Sequence, residues 1–166
     1  LHGPGDGDAA PEIWLGRMIV TEQMGDPVDL LNAYFERNHA FRRGEIQPNG
    51  SSLVYVDDDW ASWAGEWGGE IRMGFPEITN VSQQNTTSRS DYLPRLTQDY
   101  DNIAVFVHSS PIEHYFVLNG RYDTMHWTEV PLESTALFYD LFACSNANFA
   151  EPVNMGAIYG LTTEFG

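Results

Sequence analysis

Residues 136–144 decide the fold, and they read Ala136-Leu137-Phe138-Tyr139-Asp140-Leu141-Phe142-Ala143-Cys144. A small polar turn follows them, Ser145-Asn146-Ala147-Asn148. An apolar and aromatic run that ends in turn residues predicts a buried strand of a parallel sheet. The ligand crevice of such sheets lies beyond the carboxyl ends of the strands. We therefore expect Cys144, the only cysteine in the chain, at the edge where a nucleophile would be placed.

A second apolar run has the same form, because residues 102–107 are followed by His108-Ser109-Ser110-Pro111. Two parallel strands would then deliver His108 and Cys144 to one edge of the sheet, which is the geometry of a catalytic dyad. The backbone N–H groups of Ser109, Ser110 and Cys144 are candidate donors to an oxyanion. The alternative is that Cys144 is a small buried hydrophobic residue, which is the commoner role of a lone cysteine.

Other segments of the chain alternate between strand and helix patterns. Asp26-Pro27 is typical of a helix start, and the apolar stripe that follows predicts a helix to about Arg43. Strands are predicted at residues 11–18, 52–56 and 77–81, a helix start at 87–93, a final helix from 155, and helical spacing through Trp63 and Trp67. After His108 the chain is expected to follow an irregular path through Gly120 and Pro131 to the strand before Cys144. The alternation predicts one α/β domain over residues 1–166 with a mainly parallel sheet.

Composition restricts the function classes. With 24 acidic and 8 basic residues, the net charge of −16 argues against nucleic acid and anionic membranes as partners, since both are polyanions. A single cysteine excludes an internal disulfide and any zinc site built on several thiolates. No run is long and apolar enough to predict a membrane-inserted helix. The chain begins Leu1-His2-Gly3 without Met, so we expect a mature or excised piece of a longer protein.

Two acidic segments have both structural and functional interpretations. Residues 1–12 form a lead-in rich in Gly and Asp, which is either a flexible segment or a carboxylate-lined Ca²⁺ loop. Asp57, Asp58 and Asp59 follow a predicted strand, and they form either a solvated turn or Ca²⁺ loop, or a site in which one carboxylate orients the histidine or binds a basic substrate side chain. Glu66 is a comparable candidate for that pocket.

His114 is a rival to His108 as the catalytic base. It lies on the same excursion of the chain, and Glu113 beside it is a candidate carboxylate neighbour. His2, His39 and His126 are expected at the surface or in packing positions.

The two strand-end segments, residues 106–111 and 138–149, resemble the gingipain-type cysteine peptidases of the caspase-like clan. In that clan one strand ends in His-Gly and the next in Ala-Cys, and the residues around Ala143-Cys144 are similar to that pattern. Residues 11–17 look like the Pro-x-x-x-x-Gly-Arg segment that precedes the catalytic subdomain. Two positions depart from the family, since Ser109 follows the histidine and Asn146 stands two residues after the cysteine, where the family has Gly.

The resemblance implies a caspase-like three-layer sandwich with a mainly parallel sheet flanked by helices. It makes Cys144 the nucleophile and His108 the general base and acid, assisted by an upstream acidic residue. The N–H groups of Ser109 and Cys144 would be the oxyanion donors. The family cleaves after Arg or Lys, which is compatible with the acidic composition.

The expected function is therefore that of a secreted or surface-bound bacterial cysteine endopeptidase that acts on protein or peptide substrates through a thioester acyl-enzyme. The resemblance requires no cofactor, leaves room for Ca²⁺, and implies additional subdomains in the full-length chain. Two alternatives stay open. One is a catalytically inactive, peptidase-like binding or surface module with bound calcium, and the other is an unrelated α/β domain with a chance match.

Overall fold

A parallel sheet of four strands forms the centre of the computed structural model, which describes residues 17–164. Seven strands occur along this part of the chain, and four of them form the parallel sheet in the order β2-β1-β3-β7. The parallel strands are β1 (Ser51–Val56), β2 (Glu77–Val81), β3 (Asn102–Phe106) and β7 (Phe138–Phe142). The expectation of an α/β fold with a parallel sheet is confirmed.

The central strands β1 and β3 are buried along nearly their whole length. On one face, Tyr55, Ile103 and Val105 pack in the larger core cluster, and on the other face Val54 and Ala104 pack in a smaller one. Because both faces are covered, residues 53–56 and 103–106 are apolar without alternation.

Four α-helices of the described residues flank the sheet. They are α1 (Pro27–Arg42), α2 (Ala64–Ile71), α3 (Arg89–Tyr92) and α4 (Met155–Leu161). The larger core cluster includes side chains of α3 and α4, whereas the smaller cluster includes Ala64 of α2. Helices therefore cover both faces of the sheet, an arrangement compatible with a three-layer α/β sandwich.

Local capping explains why the helices begin where the sequence predicts. The Asp26 carboxylate accepts hydrogen bonds from the N–H groups of Val28 and Asp29 at 2.9 and 3.0 Å. Ser88 caps α3 and Asn154 caps α4 in the same way. Each cap satisfies N–H groups that have no partner within the helix.

The irregular path expected after His108 is not observed, because this part of the chain forms a second, antiparallel sheet. It consists of β4 (His108–Ser109), β5 (Glu113–Leu118) and β6 (Arg121–His126). The turn between β5 and β6 is Asn119-Gly120, in which both residues have positive φ values of 52° and 72°. This is the geometry that Asn-Gly favours in two-residue hairpins, so the sequence carried a signal for this hairpin.

The strand before Cys144 was predicted to be buried, and this prediction was wrong. In the described residues β7 pairs only with β3, so it lies at the margin of the parallel sheet. Phe138 and Phe142 are 44% and 53% exposed on one face, while Tyr139 and Leu141 pack against the core on the other. The apolar run therefore marks an edge strand with one open face.

Some expectations concern residues outside those described. The lead-in of residues 1–12 and most of the strand predicted at residues 11–18 lie there, while Arg17 and Met18 have no regular secondary structure. Within residues 17–164, no helix has the length and apolar character needed to cross a membrane.

Candidate active site at the carboxyl edge of the sheet

Three neighbouring strands end at the same edge of the parallel sheet, and each is followed by a chemically reactive group. Val56 of β1 pairs with Phe106 of β3, which in turn pairs with Phe142 of β7. Asp59 follows β1, His108 follows β3 and Cys144 follows β7. An acid, an imidazole and a thiol therefore occur in that order along the sheet edge.

His108 and Asp59 are in direct contact. The Nε2 atom of His108 lies 2.7 Å from Oδ2 of Asp59. Because an ionised carboxylate can only accept, Nε2 carries the hydrogen, and in the neutral imidazole Nδ1 is left with a free lone pair. The side chains of His108 and Asp59 are 33% and 55% exposed, so the pair is open to a substrate.

The chain segments that carry His108 and Cys144 continue side by side after β3 and β7. The Val107 N–H donates to the Phe142 carbonyl oxygen at 3.2 Å, and the Ser109 hydroxyl donates to the carbonyl oxygen of Cys144. These two contacts lie on either side of His108 along the chain. Since adjacent strands are about 4.8 Å apart, these contacts keep the backbone segments that carry Cys144 and His108 in neighbouring positions. Cys144 is exposed.

Trp60 connects the histidine with the strand that leads to the cysteine. Its ring lies 4.4 Å from the His108 ring and 6.2 Å from the Phe142 ring, measured between centroids. A recess of about 330 Å³ opens beneath it and is lined by Trp60, Val107, Leu141, Phe142, Ala143 and Cys144. The thiol therefore borders a concave surface as well as solvent.

The turn after Cys144 is fixed by the hydrogen bonds of the buried Asn146. Ser145 has a positive φ of 56°, which reverses the chain directly after the thiol. Asn146 is only 3% exposed, and its amide donates to the carbonyl oxygens of Leu141 and Ala143 at 3.3 and 3.1 Å. The Asn146 carbonyl oxygen accepts from the N–H of Gly156 in α4 at 2.8 Å. Asn146 thus anchors the turn at the position where the gingipain-type peptidases, which this segment resembles, have Gly.

The three adjacent aspartates have three different environments. Asp57 is fully buried, and its carboxylate accepts from the Thr87 hydroxyl at 2.7 Å and the Val117 N–H at 2.8 Å. Burial raises the pKa of Asp57, although these donors act in the opposite direction. Asp58 accepts from the Asn85 N–H at 2.9 Å. Of the three, only Asp59 contacts the histidine, while Glu66 is exposed on α2.

His114, the rival base, lies in the hydrophobic core. Its ring stacks on Tyr159 with centroids 5.8 Å apart, and it is fully buried. Neither ring nitrogen has a hydrogen-bond partner among the described residues, and burial lowers its pKa to about 3. An enclosed imidazole cannot meet a substrate from solution, so the structure gives His114 a packing position.

The two Ser N–H groups after His108 differ in availability. The Ser110 N–H donates to the Glu113 carbonyl oxygen at 3.0 Å, so it is used within the hairpin. Residue pairs in an antiparallel ladder alternate between hydrogen-bonded and non-hydrogen-bonded. Since Ser110 and Glu113 form a hydrogen-bonded pair, the adjacent pair, Ser109 and His114, is a non-hydrogen-bonded one. The Ser109 N–H therefore points away from β5, towards the side on which Cys144 lies.

Within residues 17–164, no three His, Cys, Asp or Glu side chains converge as ligands for a metal ion. The Gly- and Asp-rich lead-in, which was one of the two candidate Ca²⁺ loops, lies outside that range. Comparisons of the chain with models of protein families, with curated proteins and with solved structures find no significant match.

Proposed function

We propose that this protein is a cysteine endopeptidase related to the gingipains, with a caspase-like fold and a catalytic Cys144–His108 pair. One observation carries the proposal, namely that Asp59 binds His108 at 2.7 Å next to the strand end that bears the only thiol. A buried thiol in a packing position would have no need of an oriented imidazole beside it. The exposure of Cys144 further supports a reactive role.

The chemistry follows from the orientation of the imidazole. Nδ1 of His108 accepts the proton of the Cys144 thiol, and the resulting thiolate attacks the carbonyl carbon of the scissile peptide bond. The N–H groups of Ser109 and Cys144 donate to the oxygen that becomes negatively charged. When the intermediate collapses, His108 returns the proton to the leaving amine and a thioester remains. Water, deprotonated by His108, then hydrolyses the thioester and restores the free thiol.

Asp59 acts through His108 rather than on the substrate. Its carboxylate holds the hydrogen on Nε2 and stabilises the imidazolium that forms when the thiol proton is transferred. This is the role that the resemblance implies for an upstream acidic residue. The alternative orienting groups, Asp57 and Asp58, have hydrogen-bond partners elsewhere.

Covalent labelling tests this function. The protein is incubated with peptidyl acyloxymethyl ketones whose terminal residue is Leu, Phe, Arg, Lys or Asp. The Cys144 thiolate is expected to displace the carboxylate leaving group and form a thioether, which mass spectrometry of tryptic peptides locates. Cys144→Ala should stay folded and take no label, because the side chain is exposed. The absence of an adduct with every probe would refute the peptidase and favour the inactive binding module.

A second variant tests whether Cys144 reacts because His108 activates it or only because the thiol is exposed. His108→Ala should greatly slow labelling by the peptidyl probes while iodoacetamide still alkylates the exposed thiol. Equal labelling rates in the wild type and His108→Ala would show that the imidazole does not activate Cys144.

A further inference from the structure

The recess beside Cys144 is apolar. Its walls come from Trp60, Val107, Leu141, Phe142 and Ala143, none of which carries a charge. The size of the recess, about 330 Å³, is at the lower end of the range for ligand-binding pockets and suits one large side chain. Phe142 is 53% exposed, so an aromatic surface is presented to solvent next to the thiol.

Asp140 precedes Leu141 along the chain, but it is exposed and does not line the recess, and the three aspartates before Trp60 are already engaged. Asp59 is paired with His108, Asp57 is buried against Thr87 and Val117, and Asp58 binds the Asn85 backbone. A Lys or Arg side chain that entered the recess would therefore lose water without gaining a charged partner there, which is unfavourable.

We propose that the recess binds the substrate residue that precedes the scissile bond, and that it selects a large apolar residue such as Leu, Met or Phe. This inference rests on the proposed peptidase function, since it assigns a substrate class to the same site. It differs from the Arg or Lys preference that the family resemblance implies. Contact with the Trp60 and Phe142 rings supplies the selectivity, because burial of apolar surface is favourable and the two rings, inclined at 82° to each other, form an apolar corner.

The decisive measurement compares probes that differ only in that residue. Second-order rate constants for labelling of Cys144 are measured with otherwise identical acyloxymethyl ketones that carry Leu, Phe, Arg, Lys or Asp. The apolar probes are expected to react about tenfold faster or more than the Arg and Lys probes. Faster reaction with Arg or Lys would overturn this inference and leave the peptidase intact. No reaction with any probe would refute the peptidase itself, and the inference with it.

A charge placed in the recess should reverse the preference. In Phe142→Asp, a carboxylate replaces one aromatic wall, and the ratio of Arg to Leu labelling rates is expected to rise about tenfold or more over the wild type. Phe138→Asp is the matched control, since Phe138 is 44% exposed on the same face of β7 but does not line the recess. Its ratio should equal that of the wild type.

An unchanged ratio in a folded Phe142→Asp, as judged by circular dichroism, would contradict the assignment of the recess. If that variant does not fold, the comparison of probes on the wild type still decides the question.

Discussion

The hydrogen bond between Asp59 and His108 determines which imidazole nitrogen keeps a free lone pair, and in the proposed function that nitrogen takes the thiol proton. In Asp59→Asn the amide can donate to Nε2 as well as accept from it, so the hydrogen can move to Nδ1 and block proton transfer. We expect the rate of labelling by the best peptidyl probe to fall about a hundredfold, with the melting temperature unchanged. Labelling rates and thermal unfolding of the purified variant check this.

Asp58→Asn is the control for that experiment. It removes a charge one residue away, but its carboxylate binds the Asn85 N–H rather than His108. If the labelling rate falls equally in both variants, the loss of a negative charge near the site explains it. The specific role of Asp59 is then refuted.

His114 is a buried imidazole whose native pKa of about 3 is far below its ordinary value of 6.5. Between those two values the unfolded chain binds a proton at this residue and the folded protein does not. The free energy of unfolding therefore decreases as the pH falls through this window, at a limiting slope of about 1.4 kcal/mol per pH unit.

Replacing His114 with Phe should remove this contribution. Between pH 7 and pH 5 both proteins are expected to lose free energy of unfolding, as measured with urea. The loss in His114→Phe should be smaller than the loss in the wild type by about 2 kcal/mol. His39→Phe, at an exposed position on α1, should keep the wild-type dependence. Parallel curves for the wild type and His114→Phe would mean that another group dominates.

At the scale of secondary-structure elements, Asp57 joins the two sheets. It follows the last residue of β1, and it accepts a hydrogen bond from Val117 near the end of β5. Asp57→Ala would leave the partly buried Val117 N–H and the buried Thr87 hydroxyl without this carboxylate as a partner, at a cost of about 3 kcal/mol in the free energy of unfolding. Urea denaturation measures this loss. Asp58→Ala, which removes a half-buried carboxylate, should cost much less, and equal losses would argue against the bridging role.

The elements that the sequence predicted correctly are those whose signal is local. The central strands are apolar on both faces, and α1, α3 and α4 begin at side-chain caps, so pattern and capping chemistry were sufficient. The position of β7 depends on which strand pairs beside it, and the run at residues 136–144 contains no information about that. The hairpin at Asn119-Gly120 had a turn signal, but its flanking residues are only partly apolar.

The candidate site was predictable to a similar extent. The predicted strand ends located His108 and Cys144 at one edge of the sheet. In the structure the strands that precede them, β3 and β7, are neighbours. The sequence could not distinguish Asp59 from Asp57 and Asp58, because all three follow the same strand. A 3₁₀ helix at Asp58–Trp63 turns the three carboxylates towards different partners, and that turn is a consequence of tertiary packing.

For the whole molecule, the net charge of −16 is the dominant long-range feature. Repulsion among like charges opposes the compact state, and salt screens it, since the Debye length shortens from about 30 Å at 0.01 M to about 8 Å at 0.15 M. We expect the melting temperature to rise by a few degrees over that range of NaCl, with KCl giving the same increase. A decrease would show that attractive pairs such as Arg95–Asp91 outweigh the repulsion.

Asp59, His108 and Cys144 each lie two or three residues beyond the last paired residue of a parallel strand, and none belongs to the hydrophobic core. Reactivity and foldability are thus encoded by separate sets of positions. On the proposed function, a lineage carrying this domain can lose the activity through one substitution at the sheet edge and still inherit an intact scaffold. Natural selection can then retain that scaffold for binding alone, or restore the activity by a single reversion.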